Sequence, residues 1–122
     1  MATPFSVQGT LVYPPDSAQP VATRAFSGSG TFSSKQETDF VLSGAGTLEV
    51  SFGTVADAKT ILVELDATAA AAVNLLFNGG SDDIELSPGG FMVYHNPVPG
   101  TGVTSLSIVH TAAASGSVRI LG

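Results

Sequence analysis

Apolar residues recur at every second position through most of this chain, the period of a strand with one covered and one wet face. Phe5, Val7, Leu11 and Tyr13 share one face of the first run, with Gly9 in line, and Pro14-Pro15-Asp16 ends it. The stretch Val21 to Ser34 holds Phe26 and Phe32 among many Gly and Ser residues. It reads as a bent or bulged strand, or as two short ones, because glycine weakens a strand interior. Phe40 and Leu42 lead into Gly44-Ala45-Gly46, after which Leu48, Val50 and Phe52 alternate with Thr47, Glu49 and Ser51. Ile61, Val63 and Leu65 point one way, with Glu64 and Asp66 opposite. Val73, Leu75 and Phe77 run into Asn78-Gly79-Gly80, a strong hairpin signal. Short runs follow at Ile84 and Leu86, at Phe91 to His95, at Leu106, Ile108 and His110, and at Val118 and Ile120.

Strands at roughly ten-residue spacing, about eight to ten of them, are the pattern of an antiparallel β-sandwich, here expected to be jelly-roll-like. No stretch offers the helical period that a strand–helix–strand unit needs. Two small-residue pieces, Thr68 to Ala72 and Thr111 to Gly116, read as tight connections between strands. The expected organisation is a single domain over residues 1–122, with Met1 to Pro4 extending as an N-terminal arm. A chain of this length buries roughly 65% of its unfolded surface, enough for a core without staples.

Composition changes the picture at one point. Only 11% of the residues are charged, against a globular norm of about 25%, and Lys and Arg together number four. A surface so poor in charge points to one covered by neighbouring subunits. The net charge of −6, with no basic cluster, argues against direct nucleic-acid binding. The longest unbroken apolar run is Ala69 to Val73, far short of a membrane-spanning helix, and the N-terminus does not read as a signal peptide. With no cysteine there is neither a disulfide framework nor a thiolate site.

Candidate chemistry is sparse. His95 and His110 fall at or near strand ends and read as polar residues at a sheet rim, since no nucleophile elbow accompanies them and Gly28-Ser29-Gly30 lacks its spacing. Glu64 and Asp66 on one strand face set their carboxylates about 7 Å apart, which glycosidase chemistry tolerates but which is also ordinary decoration of a wet strand. The acidic segment Asn78 to Glu85 crowds oxygen donors on a turn without calcium-loop spacing and reads as a solvated hairpin tip. No catalytic, cofactor or metal residue is assigned, no cofactor is expected, and the chain does not read as an enzyme. With no Trp and only Tyr13 and Tyr94, an aromatic sugar platform is missing, and all seven Phe residues have places in the core.

The second half carries a resemblance. Val73-Asn74-Leu75-Leu76-Phe77-Asn78-Gly79-Gly80 leads to Ile84-Glu85-Leu86-Ser87-Pro88-Gly89-Gly90-Phe91, then to Gly102 through Ile108 and a closing Gly116-Ser117-Val118-Arg119-Ile120-Leu121. This succession resembles small β-sandwich virion proteins of tailed bacteriophages, in which a strand ending in Asn-Gly-Gly precedes a Pro-Gly-Gly turn. The resemblance implies a non-enzymatic structural protein of the virion, assembled in the host cytoplasm. It implies a capsid decoration (cement) protein that binds the major capsid protein on the outside of the head as a homo-oligomer, a trimer favoured. A tail, collar or baseplate component is the alternative in the same class, and a receptor- or glycan-binding module the alternative in another.

Overall fold

A computed structural model describes residues 2–14, 18, 20–80, 83–98 and 102–122, with Asp83 described by its backbone alone. Ten strands lie among the described residues, in chain order: β1 (Thr3–Tyr13), β2 (Ala22–Phe32), β3 (Lys35–Leu42), β4 (Gly46–Val50), β5 (Thr60–Leu65), β6 (Val73–Phe77), β7 (Asp83–Leu86), β8 (Phe91–His95), β9 (Leu106–His110) and β10 (Ala114–Leu121). Two four-stranded antiparallel sheets, ordered β3-β10-β5-β8 and β4-β9-β6-β7, form the sandwich, and β1-β2 is a separate two-stranded ribbon. From β3 onward, every connection except β6 to β7 carries the chain from one sheet to the other.

The alternation in the sequence builds the core directly. Ile61 and Val63 on β5 and Val118 and Ile120 on β10 face inward from one sheet; Val73 and Leu75 on β6 and Leu106 and Ile108 on β9 face them from the other. Each such side chain, taken fully out of water, contributes about 1.5–3 kcal/mol. Gly116 sits where β10 runs between Phe40 of β3 and Leu65 of β5, and a Cβ there would collide with the Glu64 carbonyl and the Phe40 ring. That close approach is why β10 carries a glycine in mid-strand.

Turn chemistry fixes the registers. Asn78 and Gly79 both adopt positive φ, and the Gly80 N–H donates to the Phe77 carbonyl at 2.9 Å, so a turn of the primed kind ends β6. Asn78 also works at long range. Its Oδ1 accepts from the Thr104 and Ser105 N–H groups at 2.7 and 3.3 Å, tying the turn to the approach of β9. The two alanine-rich connections meet one another, the Ala70 N–H donating to the Ala113 carbonyl at 2.9 Å.

Several expectations need correction. The Val21–Ser34 stretch is one unbroken strand from Ala22 to Phe32, paired residue for residue with β1 from Tyr13 back to Thr3. Its glycines accommodate rings from other elements instead of bending the strand. Pairing starts at Thr3, opposite Phe32, so Thr3 and Pro4 belong to the ribbon and do not form a separate arm. The connection assigned to Thr111–Gly116 is shorter, because β10 already begins at Ala114.

Ile108→Ala removes a side chain with no solvent exposure and is expected to cost about 2–5 kcal/mol in chemical denaturation. Val41→Ala, at a side chain 88% exposed, should stay within about 0.5 kcal/mol of the parent.

Candidate functional site

The outer face of the β3-β10-β5-β8 sheet is the feature that a simple sandwich does not explain. An outward face normally carries polar residues. Here β5 presents Leu62 beside Thr60 and Glu64, and β8 presents Phe91, Val93 and His95 opposite them. The reason lies in two runs that are apolar in both phases, Ile61-Leu62-Val63 and Phe91-Met92-Val93-Tyr94. Met92 and Tyr94 pack against the core, which turns Phe91 and Val93 outward, Phe91 at 66% exposure.

The β1-β2 ribbon lies against this face. Its near face carries Phe5, Val7, Gly9 and Leu11 on β1, paired with Gly30, Gly28, Phe26 and Arg24 on β2. At the root the attachment is close. The Phe5 ring meets the His95 ring edge-on with centroids 5.8 Å apart, and also packs on Phe32 at 6.1 Å. Gly28 is glycine because the His95 imidazole occupies the space of its missing Cβ, 2.5 Å away. Lys59 Nζ donates to the Thr31 carbonyl at 2.6 Å, and the Ser33 and Ser34 N–H groups donate to the Gly122 carbonyl at 2.9 and 3.1 Å.

Beyond the root the ribbon and the sheet part. A gap of about 810 Å³ opens between Val7 to Leu11 and Phe26 on one side and Leu62, Phe91, Val93 and Leu121 on the other. Glu37, Glu64 and Arg119 lie along its rim and floor. A smaller gap of about 390 Å³ runs beside His95 and Ser27. At the far end of the ribbon Leu11, which also lines the gap, is exposed together with Val12, Tyr13 and the adjoining Val21, Val12 and Val21 at about 60%.

Glu37, Glu64 and Arg119 are the charged residues that line the larger gap; most of the remaining charge on the strands lies at the sandwich edges. Sheet edges left bare invite pairing, and charged side chains blunt them. Three of the four sandwich edges are so guarded: β3 by Lys35, Glu37 and Asp39, β4 by Glu49, and β7 by Glu85. The fourth, β8, has no Asp, Glu, Lys or Arg, nor does β1, and β2 has only Arg24. Arg119 is taken by Asp39 at 3.0 Å and Lys35 by Glu37 at 3.6 Å. Among the described residues neither Arg24 nor Glu64 has an ion-pair partner.

The residues singled out for chemistry are dispersed. His95 shares a 2.8 Å hydrogen bond between Nδ1 and the hydroxyl of Thr60, a largely buried residue that the sequence did not mark. No carboxylate among the described residues engages the other ring nitrogen, so this hydroxyl–imidazole pair has no third, orienting member. His110 is buried at the opposite sheet; its Nδ1–H donates to the Gly44 carbonyl at 2.6 Å and pins the β3-β4 turn. Glu64 faces the gap, whereas Asp66 lies one residue past β5 and accepts from the Ser115 hydroxyl at 3.0 Å. No cluster of three His, Asp or Glu side chains forms among the described residues. Of the acidic segment Asn78 to Glu85, residues 81 and 82 lie outside the described residues. No helix among the described residues is long and apolar enough to cross a membrane.

The aromatic assignment also changes. Phe40 and Phe52 are the buried phenylalanines, while Phe26 and Phe91 are half or more exposed and line the gap. The doubled apolar phase of β5 and β8 is the signal that marks this face in the sequence. No family model, no curated protein and no solved structure matches the chain.

Gly28→Ala forces the His95 ring and the ribbon root apart. The expected result is faster hydrogen exchange at the paired amides of residues 3–32 with exchange in β5, β9 and β10 unchanged, because a two-stranded ribbon alone is marginal in water.

Proposed function

We propose that this chain is a non-enzymatic structural protein of a phage particle, a decoration protein that attaches to the outside of the head. The observation that carries the reading is the undefended apolar region: a ribbon with one charged residue, a bare β8 edge and an exposed Phe91, on a chain only 11% charged. Such surface is stable in water when another protein covers it. The strand orders β3-β10-β5-β8 and β4-β9-β6-β7, with crossings between sheets at nearly every connection, support reading the sandwich as an eight-stranded jelly roll, an architecture common to capsid-type domains. The partner on this reading is the major capsid protein, and the chain works as a homo-oligomer that spans a junction between shell subunits. The Asn78-Gly79 turn, with both residues at positive φ, supports the likeness to virion sandwiches in the second half.

A small tail or collar component would use the same surface at another address, and location separates the two. Purified protein added to heads that lack it should co-sediment at a fixed stoichiometry and raise the temperature at which the shells open. Saturable binding to tails with none to heads moves the address to the tail. Specific glycan binding by the isolated chain, with no stable addition to any particle fraction, overturns the structural reading.

A further inference from the structure

We propose that the larger gap between the β1-β2 ribbon and the outer face of the β3-β10-β5-β8 sheet is a binding site for a small amphiphilic cation, a molecule with an apolar body and one ammonium-type end. This goes beyond the structural reading above and does not rest on it.

The apolar body follows from the walls. Val7, Leu11 and Phe26 line the gap from the ribbon, and Leu62, Phe91 and Val93 line it from the sheet. Phe26 is half exposed and Phe91 more so, leaving apolar surface to be covered on both sides. A Cβ at Gly9 would collide with the Phe26 ring, so the glycine makes room for one wall of the gap. Water between two apolar walls finds few polar partners and is readily displaced. At about 810 Å³ the gap has the size of a small-molecule site, for which about 300–1,000 Å³ is usual.

The cationic end follows from the charges. Three charged residues line the gap, and two of them are already engaged. Arg119 is held by Asp39 at 3.0 Å and donates to the Val118 and Thr38 carbonyls at 3.2 and 3.4 Å, so it offers no seat to an anion. Glu37 faces Lys35 at 3.6 Å. Glu64 has neither an ion pair nor a side-chain hydrogen bond among the described residues. The nearby hydroxyl of Thr60 is taken by His95 at 2.8 Å. The one unengaged charge on the floor is therefore a carboxylate. In the β5-β8 register Glu64 stands opposite Phe91, and Leu62 opposite Val93. A ligand whose cation meets Glu64 thus lays its body along Phe91, Leu62 and Val93. Val12, Val21 and the β8 edge stay free for a protein partner while the gap is filled.

The experiment follows the fluorescence of N-phenyl-1-naphthylamine, a neutral apolar probe, on the full chain at neutral pH. It then displaces the probe with decylammonium, decanol or decanoate below their micelle concentrations. The expected result is one saturable site per chain, with decylammonium binding about threefold tighter than decanol and decanoate weakest. Glu64→Gln should abolish the preference for the ammonium while leaving the decanol affinity in place. The double variant Phe26→Ser/Phe91→Ser should weaken all three at least about tenfold, with the β-sheet circular dichroism retained. Thr47→Asp, on the outer face of the other sheet, should change nothing. The proposal is overturned by a parent chain without saturable binding, by decanoate binding as tightly as decylammonium, or by binding indifferent to the phenylalanine variant. An ammonium preference that survives Glu64→Gln overturns it as well. A chain that binds decylammonium as expected but never adds to a phage particle keeps this site and sinks the decoration reading alone.

Discussion

Strand β5 has to be covered twice, and most of this structure follows from that requirement. Its inward residues Ile61 and Val63 are wholly buried, and Leu65 nearly so, against the opposite sheet. Its outward residue Leu62 is apolar as well, and β8 beside it repeats the condition with Phe91 and Val93. One sandwich satisfies only one of these faces. The ribbon β1-β2 comes over the second face, and the side chains at its root are chosen to let it do so. His95 and Phe5 fill the space that Gly28 and Gly30 leave, and Lys59 holds the ribbon's backbone from the sandwich side. A ribbon without such a surface beneath it would be marginal, since two strands bury too little to hold themselves together. The sheet face and the ribbon are thus mutual conditions, each keeping the other ordered at the root.

Cover is incomplete where the gap opens. The ribbon is anchored at one end by ring packing, a lysine and the Gly122 hydrogen bonds, and at the other it carries aliphatic side chains into water. A monomer selected only for solubility gains from polar residues at Val12 and Val21, each about 60% exposed. Their presence together with the bare β8 edge is what separates this region from ordinary scattered surface hydrophobics. The guarded edges strengthen the contrast. Where pairing would be harmful, at β3, β4 and β7, this charge-poor chain places six of its fourteen charged residues.

The sandwich was largely legible because its inward residues obey a strict period of two. Leu48 and Val50, Leu106 and Ile108, and Val118 and Ile120 each alternate with smaller or polar neighbours, and each lands on the core side. The Asn78-Gly79 turn was legible for a different reason, since few residues tolerate positive φ twice in succession. Strand β2 was misread because a glycine in a strand has two meanings. It can mark a bend, or it can mark a place where another group comes close, and only the position of His95 and Phe5 decides between them. The outer face was legible in principle, through Ile61-Leu62-Val63 and Phe91-Met92-Val93-Tyr94. Periodicity assigns such runs one inward face and does not say what covers the other.

The two histidines show why chemistry was harder to place than fold. Both sit at strand ends, at equivalent places in the sequence pattern, and their surroundings have little in common. His110 is closed in the sandwich and spends its Nδ1 proton on the carbonyl of Gly44, so its work is to fix a turn. His95 lies on the outer face, hydrogen-bonded to Thr60 beneath it and capped by Phe5 from the ribbon. It is the pivot at which sheet, ribbon and gap come together, and its ring is held by contacts from residues 5, 28 and 60. Phe5, Gly28 and Thr60 hold its ring as a wedge, while the smaller gap runs beside it. Its role in this fold is to hold the root of the ribbon down while the far end reaches outward, which makes the ribbon an anchored arm and gives its exposed end a defined direction.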